Sequence, residues 1–435
     1  LLSLNSGTLN VAVGHDAGMF LTTASNSTFV GHNAGKGITG AKLTGTSNTA
    51  IGKDAGLLLQ GDAGDNTVVG ALSGDAITTG TRTVALGFKA GSGITTGDSN
   101  VAIGWQALLT EDAHSNNVAV GASALQTQNA GAHAGNVAVG FEAGKLLSTG
   151  KKNVLIGLSA GSAATITGDE NVGIGNEALK DLTSGTGNTC IGETAGANIT
   201  DATNNVAIGK LALFTAGSGS TNIAIGSQAL RFLNTGSANQ CIGQEAGKAI
   251  TNGYSNVAIG HESLLVEDTG RKNVAVGYET LKAQNNDADN LNTAIGYQAG
   301  VGIITGTANT FVGANAGDGN DDGVQNVAVG VLALSANCGN ANTAIGPEAL
   351  SVCTGENSTA LGKDAGGAGL AVNNCIFLGF QSGLTGSPGG NIVNNSNILC
   401  IGDENIAAAN IQVDWTVASD QRDKTDFTAL DLGLD

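Results

Sequence analysis

The chain has 435 residues, with 69 glycines, 2 prolines, 10 phenylalanines, 3 tyrosines and 2 tryptophans, and its formal net charge at pH 7 is −18. Glycine at this level without a Gly-x-y period excludes a collagen, and scarce proline with abundant Val and Ile excludes a disordered linker. Large side chains are too few for two or three globular cores, and the acidic charge disfavours a nucleic-acid partner because phosphates would be repelled.

The ends and the cysteines give further limits. No apolar run approaches the ~18 residues of a membrane span, and no basic-then-apolar leader opens the chain. Met19 is the only methionine, so we expect the sequence to begin inside a longer product. The cysteines lack the paired spacing of a zinc or redox motif. We interpret them as small buried hydrophobic residues with free thiols. They are Cys190, Cys241, Cys338, Cys353, Cys375 and Cys400.

A repeat begins near the N terminus and reads N-x-A-Φ-G-x-x-A-[G/L], where Φ is aliphatic. Residues 205–209, with the sequence NVAIG, are a good copy. The closing glycine recurs 23 times from Gly14 to Gly402, and 14 of the 22 intervals are 17 residues long. The other intervals run from 16 to 23 residues, as expected if insertions are confined to loops.

This period predicts an all-β fold over residues 1–402, a parallel β-solenoid with one coil per ~17 residues. The period is too short for a helical hairpin or a propeller blade, and Asn, Gly and β-branched residues disfavour helix. Each coil would hold a strand over N-x-A-Φ, a tight turn at the glycine, a second short segment and a return loop. Twenty-two steps of roughly 4.8 Å would make a rod on the order of 100 Å long.

Both faces of the strand are apolar, because neighbouring residues point to opposite sides. The residue before each closing glycine is Val, Ile or Leu, and we expect this aliphatic column to fill the interior. The Ala column one residue earlier would then face outwards. A monomer buries only its inside, so we expect a parallel homotrimer packed through the small residues, with a dimer as the alternative.

Residues directly after the closing glycines are the most variable. Aromatic side chains there would form a surface ridge that could stack on sugar rings, or they could simply stabilise neighbouring coils. The candidate binding residues are Phe88, Trp105, Tyr278 and Tyr297. His15 and His32 occupy the same slot in consecutive coils, but no carboxylate spacing completes a metal site, so we predict neither metal nor cofactor.

Polar residues of the loops have simpler interpretations. Acidic loops at 62–65 and 318–322 lack the EF-hand and nonapeptide calcium patterns, and we interpret them as solvated turns. The Asn at the start of each strand is predicted to form a ladder of stacked amides that supplies local hydrogen bonds.

The repeat carries a resemblance to known families. The unit NIAIG at 222–226, followed by Ser227-Gln228-Ala229, resembles the head repeats of trimeric autotransporter adhesins, and it resembles repeats of phage tail-fibre proteins still more. The resemblance covers roughly residues 10–402 and implies a left-handed parallel β-roll that assembles as a trimer. The adhesin coil is shorter than the one here.

Residues 403–418 follow the repeat, and the alternating polarity of 411–418 predicts a connecting strand. Residues 419–435 begin with SDQRDK, which resembles the S-D-x-R-x-K opening of the intramolecular chaperone domain at the C terminus of phage endosialidases and many tail fibres. Such a domain trimerises the fibre and can then cut itself off. Asp423 and Phe427 stand where the family commonly has Leu and Ile, and only the beginning of the domain is present.

The chaperone resemblance implies a self-cleavage dyad. Ser419 would be the nucleophile that attacks the Ala418 carbonyl, and Lys424, if neutral, would be the base that takes its proton. The alternative is that Ser419 caps a helix and that Lys424 lies in its solvated first turns.

The sequence favours a structural fibre of a virion, a phage tail fibre located outside the cell. Its expected partners are its own copies, other virion tail proteins and a host-surface glycan or protein receptor. The alternative is a cellular trimeric surface adhesin or an extracellular filament subunit. An enzyme of the shaft is not expected, because the paired acids at 169–170 and 267–268 lie in return loops and do not recur on neighbouring coils.

Overall fold

The computed structural model describes residues 3–130, 133–387 and 390–407. Within these ranges every regular element is a three-residue β-strand, and none is a helix. The strands are β1 Val11–Val13, β2 Thr28–Val30, β3 Thr49–Ile51, β4 Thr67–Val69, β5 Val84–Leu86, β6 Val101–Ile103, β7 Val118–Val120, β8 Val137–Val139, β9 Val154–Ile156, β10 Val172–Ile174, β11 Thr189–Ile191, β12 Val206–Ile208, β13 Ile223–Ile225, β14 Gln240–Ile242, β15 Val257–Ile259, β16 Val274–Val276, β17 Thr293–Ile295, β18 Thr310–Val312, β19 Val327–Val329, β20 Thr343–Ile345, β21 Thr359–Leu361, β22 Ile376–Leu378 and β23 Leu399–Ile401.

Each strand from β2 to β22 pairs in parallel with the strand before it and the strand after it, and equivalent residues lie side by side. In the pair β12–β13, for example, Ala207 lies beside Ala224 and Ile208 beside Ile225. One strand per repeat and this constant register make each repeat one coil of a parallel β-solenoid. The predicted fold and its 17-residue coil are therefore confirmed. The handedness of the coil and the trimer stay predictions.

The predicted orientation of the strand was wrong. The middle residue of each strand faces the interior, so Ala207 is completely buried, whereas Ile208 just before the glycine is exposed. The interior lies between the strand and the second segment of the same coil, where Ala212 and Leu213 are also completely buried. A space this narrow accepts small side chains from the strand when the second segment supplies the larger ones.

Volumes in the interior compensate from coil to coil. Three strands carry Phe in the middle position, and each of these coils has a glycine in the second segment. At Gly317, for example, a Cβ would lie 2.7 Å from ring carbons of Phe311. Gly35 opens the same space for Phe29. The glycine of each of these coils thus leaves the space that the Phe ring fills.

The Asn column forms the predicted ladder. Asn205 donates from its backbone N and from Nδ2 to Oδ1 of Asn188, at 3.1 and 3.2 Å, and Nδ2 also donates to the Gly219 carbonyl at 2.9 Å. Asn222 repeats these contacts one coil further on. Each amide therefore ties its own strand, the previous coil and the return loop together, in a place where water cannot reach.

The cysteine prediction is confirmed as well, since all six cysteines are buried and none of them forms a disulfide. Cys190 and Cys241 occupy the middle position of their strands, inside the coil. Burial raises the pKa of both thiols and raises that of Cys338 to about 12.

Candidate functional site

The predicted self-cleavage residues, Ala418, Ser419 and Lys424, lie outside the described residues. Of the predicted connecting strand, only residues 403–407 are described, and they contain a turn and no strand. The cleavage hypothesis therefore stays a prediction from the sequence.

The turn ridge, meaning the residues that directly follow the closing glycines, lies on the surface as expected. Phe88, Trp105, Tyr278 and Tyr297 are all exposed, by 43 to 52%. The closing glycines before them lie one coil apart, so the side chains form a row along the solenoid. The four candidate binding residues are thus accessible.

Stacking within the turn ridge changes what these rings can offer. Tyr278 lies between His261 and Tyr297, with ring centroids 5.1 and 5.4 Å away and planes within 8° of parallel. His15 and His32 form a similar pair with centroids 5.4 Å apart. The faces of Tyr278 are thereby turned towards its neighbours, and a sugar ring could reach only the free outer faces of the row and its edges. This arrangement favours the interpretation that stacked rings support neighbouring coils.

Charged side chains beside the tyrosines strengthen this part of the turn ridge. Lys282 Nζ lies 2.6 Å from a carboxylate oxygen of Glu262 and 2.7 Å from one of Glu279. Gln298 Nε2 donates to the other oxygen of Glu279 at 2.7 Å. Negative charge on Glu279 raises the pKa of Tyr278 above its usual value, so this phenol stays protonated.

The second surface feature is the outward face, defined as the first and third residues of every strand. Val, Ile, Leu and Thr occupy nearly all of these positions. Their side chains are half-buried or exposed, and Val13 and Leu361 are exposed by 59 and 51%. An apolar strip that follows a whole sheet is much longer than the scattered apolar residues of an ordinary protein surface.

Two carboxylates interrupt the interior. Glu111 and Glu267 are completely buried, in positions where the preceding coils have Ile94 and Ile250. Burial raises the pKa of Glu111 to about 8 and that of Glu267 to about 7. Ionisable groups with such shifts need either a structural or a chemical explanation.

Most contacts of these carboxylates are hydrogen bonds that hold the neighbouring loops in place. Oε1 of Glu267 accepts hydrogen bonds from the backbone N of Gly270 at 2.8 Å, and Oε2 accepts one from Nδ2 of Asn290 at 2.8 Å. Oε1 of Glu111 accepts one from the backbone N of His114 at 3.1 Å. Both carboxylates precede a coil of 19 residues, the only two intervals of this length in the repeat. A longer loop leaves more polar groups to satisfy, and the buried carboxylates supply acceptors.

The imidazole of His114 lies beside Glu111, and the hydrogen bonds that hold the loop in place do not account for it. Its side chain is buried, and its Nδ1 lies against Oε1 of Glu111 and 3.9 Å from Oδ1 of Asp112. Burial lowers the pKa of His114, which favours the neutral imidazole. Donor atoms of Glu111, Asp112 and His114 all lie within 4.8 Å of one another, and no other group of this kind occurs among the described residues. None of these residues lies in the turn ridge, where histidines were expected to matter. The sequence EDAH, with its Glu in a column of Ile and Leu, was nevertheless a visible signal of the cluster.

The two acidic loops behave as turns. Asp62 accepts a hydrogen bond from Thr44 Oγ1 at 3.1 Å, and the backbone N of Asp321 donates to Asn337 Oδ1 at 3.1 Å. Asp62, Asp65 and Asp322 are nevertheless exposed, which agrees with the interpretation as solvated turns.

Comparison with known proteins gives no further guidance to function. No protein-family model matches the chain, and a search of curated proteins finds no match. Over the described ranges, the chain contains no helix with the length and apolar character needed to cross a membrane.

Proposed function

We propose that the chain is the shaft of an extended attachment fibre, a virion tail fibre, and that it assembles as a parallel homotrimer through its outward face. The observation that carries this proposal is the unbroken row of aliphatic residues along 23 strands, which a single chain leaves open to water. Burying such residues contributes roughly 25 cal/mol per Å² of apolar surface.

A second copy of the same chain is the occupant that fits best. The outward face repeats at one strand spacing over its whole length, and a partner must match this period to pack without gaps. Another copy in parallel has the same period by definition. Three copies around an axis would cover the face of each chain and leave the turn ridge and the return loops outside.

The interface residues differ from those that the sequence argument assigned. The small residues face the interior, so the contact would be made by β-branched side chains such as Val206 and Ile208. Interdigitating Val and Ile residues pack well on a pleated surface, so the argument for a partner becomes stronger with this correction.

Exposed loops would then carry recognition, and the sheet would carry length and stiffness. Three identical rows of loops allow many weak contacts with a host glycan or protein, and their combined strength exceeds that of any single contact. The resemblance of residues 419–424 to the opening of a chaperone domain supports the phage fibre over a cellular adhesin or filament subunit.

The test of assembly is the native mass of the 435-residue chain, measured by light scattering, for wild type and two single variants. Ile225→Asp places a charge on the outward face, and Gln244→Asp places the same charge on the exposed turn ridge. We expect wild type and Gln244→Asp to be trimers and Ile225→Asp to be a monomer or to associate at least tenfold more weakly. A monomeric wild type would overturn the proposal.

The self-cleavage part of the proposal needs its own experiment. In the longest natural reading frame that contains these residues, we expect chains that end at Ala418, and we expect Ser419→Ala and Lys424→Met to leave the chain uncut. Denatured mass by mass spectrometry reads this directly. Cleavage that persists in both variants would remove the assigned dyad without affecting the argument for the trimer.

A further inference from the structure

The loop between β6 and β7 holds three potential metal ligands in four residues. Glu111 is completely buried and His114 is 6% exposed, whereas the Asp112 side chain is 55% exposed. The interior end of the cluster is therefore dry, and the Asp112 end is open to water. An ion could therefore reach the cluster, and hold a water ligand, from the Asp112 side.

The backbone holds the cluster in place. The carbonyl of His114 accepts a hydrogen bond from Nδ2 of Asn100 at 2.7 Å, which ties the loop to the Asn ladder. The backbone N of His114 donates to Oε1 of Glu111, and that of Ala113 donates to Oδ1 of Asp112. Nδ2 of Asn117 lies 3.4 Å from the second oxygen of Glu111. These contacts orient both carboxylates from outside the cluster.

The ring nitrogen Nδ1 of His114 is buried and points into this space, where Oε1 of Glu111 is its direct neighbour. It faces two carboxylate oxygens, and one imidazole with two carboxylates is a donor set suited to Zn²⁺ and related divalent ions. Metal–ligand bonds of about 2.1 Å need donor atoms about 3.0 to 3.5 Å apart, so small rotations would have to separate His114 from Glu111 and bring Asp112 closer. Lys151 is the nearby cation, and two carboxylates outweigh its charge.

The chain contains an internal comparison for this loop. Residues 267–270 read EDTG and lie 156 residues after EDAH at 111–114. In both loops the Glu accepts the backbone N three residues later, and the carbonyl of that residue accepts an Asn Nδ2, from Asn256 to Gly270 at 2.9 Å. The second loop thus performs the structural task with a glycine, so the imidazole of His114 is not needed for it.

We propose that Glu111, Asp112 and His114 bind one divalent transition-metal ion, with Zn²⁺ as the best match to the donor set. The ion would enter past Asp112, displace the direct contact between His114 and Glu111, and keep water at its remaining position. It would also clamp the loop before the 19-residue coil and so stabilise one end of that insertion.

The test measures metal binding by the full chain after treatment with a chelator and dialysis. Zn²⁺ is added in a titration against a chromogenic chelator, and Co²⁺ is added separately because its visible absorption reports nitrogen and oxygen ligation. We expect one equivalent of Zn²⁺ to bind with micromolar or tighter affinity. His114→Gly copies the natural sequence of the second loop, and we expect it to weaken binding at least 100-fold.

Two further variants keep the result interpretable. Asp112→Asn changes an exposed residue that the fold does not need, and we expect at least a tenfold loss. A double variant, His15→Ala with His32→Ala, removes the stacked surface histidines and should bind as wild type does. Absence of binding at 100-fold excess of chelator-free Zn²⁺, or binding that His114→Gly leaves unchanged, would overturn the proposal and leave a buried Glu–His pair.

Discussion

The buried Asn column shows how single residues define the coil. Each side chain has one acceptor oxygen and two amide hydrogens, and the ladder uses both kinds of group. Asp has nearly the same shape but no amide hydrogens, so it separates the role of shape from that of hydrogen bonding.

We expect Asn205→Asp to destabilise its coil strongly, by about 3 kcal/mol or more. A carboxylate there would face Oδ1 of Asn188 and the Gly219 carbonyl, acceptors that now receive the Nδ2 hydrogens. Hydrogen exchange of the amides in β11 to β13 would measure the loss. Asn204→Asp is the matched control, since Asn204 is exposed and adjacent. Equal exchange in the two variants would contradict a role for the ladder in stability.

Glu267 makes a prediction about pH. Burial raises its pKa to about 7 from the usual value near 4.5, so between these two pH values the folded chain holds a proton that the unfolded chain has lost. Stability is therefore highest below about pH 4.5, as far as this group is concerned, and falls as pH rises towards 7. The complete loss is about 3 kcal/mol at most.

Glu267→Gln should remove this contribution. Gln is neutral at every pH, and the unpartnered Oδ1 of Asn290 becomes an acceptor for its amide if the Asn290 side chain turns over. We expect the thermal unfolding midpoint of the variant, relative to that of wild type, to increase as the pH is raised from 5 to 8.5. Glu356→Gln, at an exposed position, should give no such difference. A variant that loses stability relative to wild type as pH rises would reverse the sign of the argument.

At the scale of the strand, the sequence predicted the element but not its orientation. A period of 17 closed by glycine identified the coil, because it is too short for a helical hairpin or a propeller blade and its Asn, Gly and β-branched residues disfavour helix. The alternation of side chains along a strand defines two faces but does not say which of them lies inside. Aliphatic character alone favoured the column of Val, Ile and Leu, which in fact faces outwards. Side-chain volume was the better criterion for deciding which face is interior. Phe29 and Phe311 stand in the Ala column and are completely buried, so this column accepts Ala, Cys or Phe according to the residues that face it inside the coil.

The candidate sites divide in the same way. The exposed turn ridge followed from position in the repeat, whereas its stacking depended on side-chain angles that spacing does not contain. Glu111 and His114 are three residues apart, yet their contact depends on a loop that turns back on itself, and only coordinates give that.

The closing glycine makes a prediction for the turn. Gly226 has φ of +134°, and a Cβ there would lie 2.3 Å from the carbonyl oxygen of Gly243. We expect Gly226→Ala to cost about 3 kcal/mol or more locally, because neither the backbone angle nor the neighbouring coil can adapt. Gly217→Ala is the control, since its nearest contact is the Asn234 side chain at 3.3 Å and its φ is ordinary. Hydrogen exchange of β13 and β14 in both variants checks this, and matching protection would refute it.

At the scale of the whole molecule, each coil touches chiefly its neighbours, so stability should vary along the rod. The buried cysteines report this because only a thiolate reacts. We expect no labelling of the six thiols by a maleimide at pH 7 in the native protein. In rising denaturant, Cys400 in β23, which pairs only with β22 among the described strands, should react before Cys241 in β14, which has a strand on each side. Peptide mapping after pulsed labelling would show the order, and simultaneous reaction of all six would mean that the rod unfolds as one unit.

The constant register between coils affects how the length of the rod can change in evolution. A stretch of DNA that encodes whole coils can be copied or lost by recombination between similar repeats, and the strands on either side of the joint still pair. Six consecutive closing glycines, from Gly70 to Gly157, recur 156 residues later from Gly226 to Gly313, together with the two buried glutamates and their long coils. One such copying event would leave this pattern. The reach of the rod is then a trait that selection can adjust in increments of roughly 5 Å per coil, without inventing a new fold.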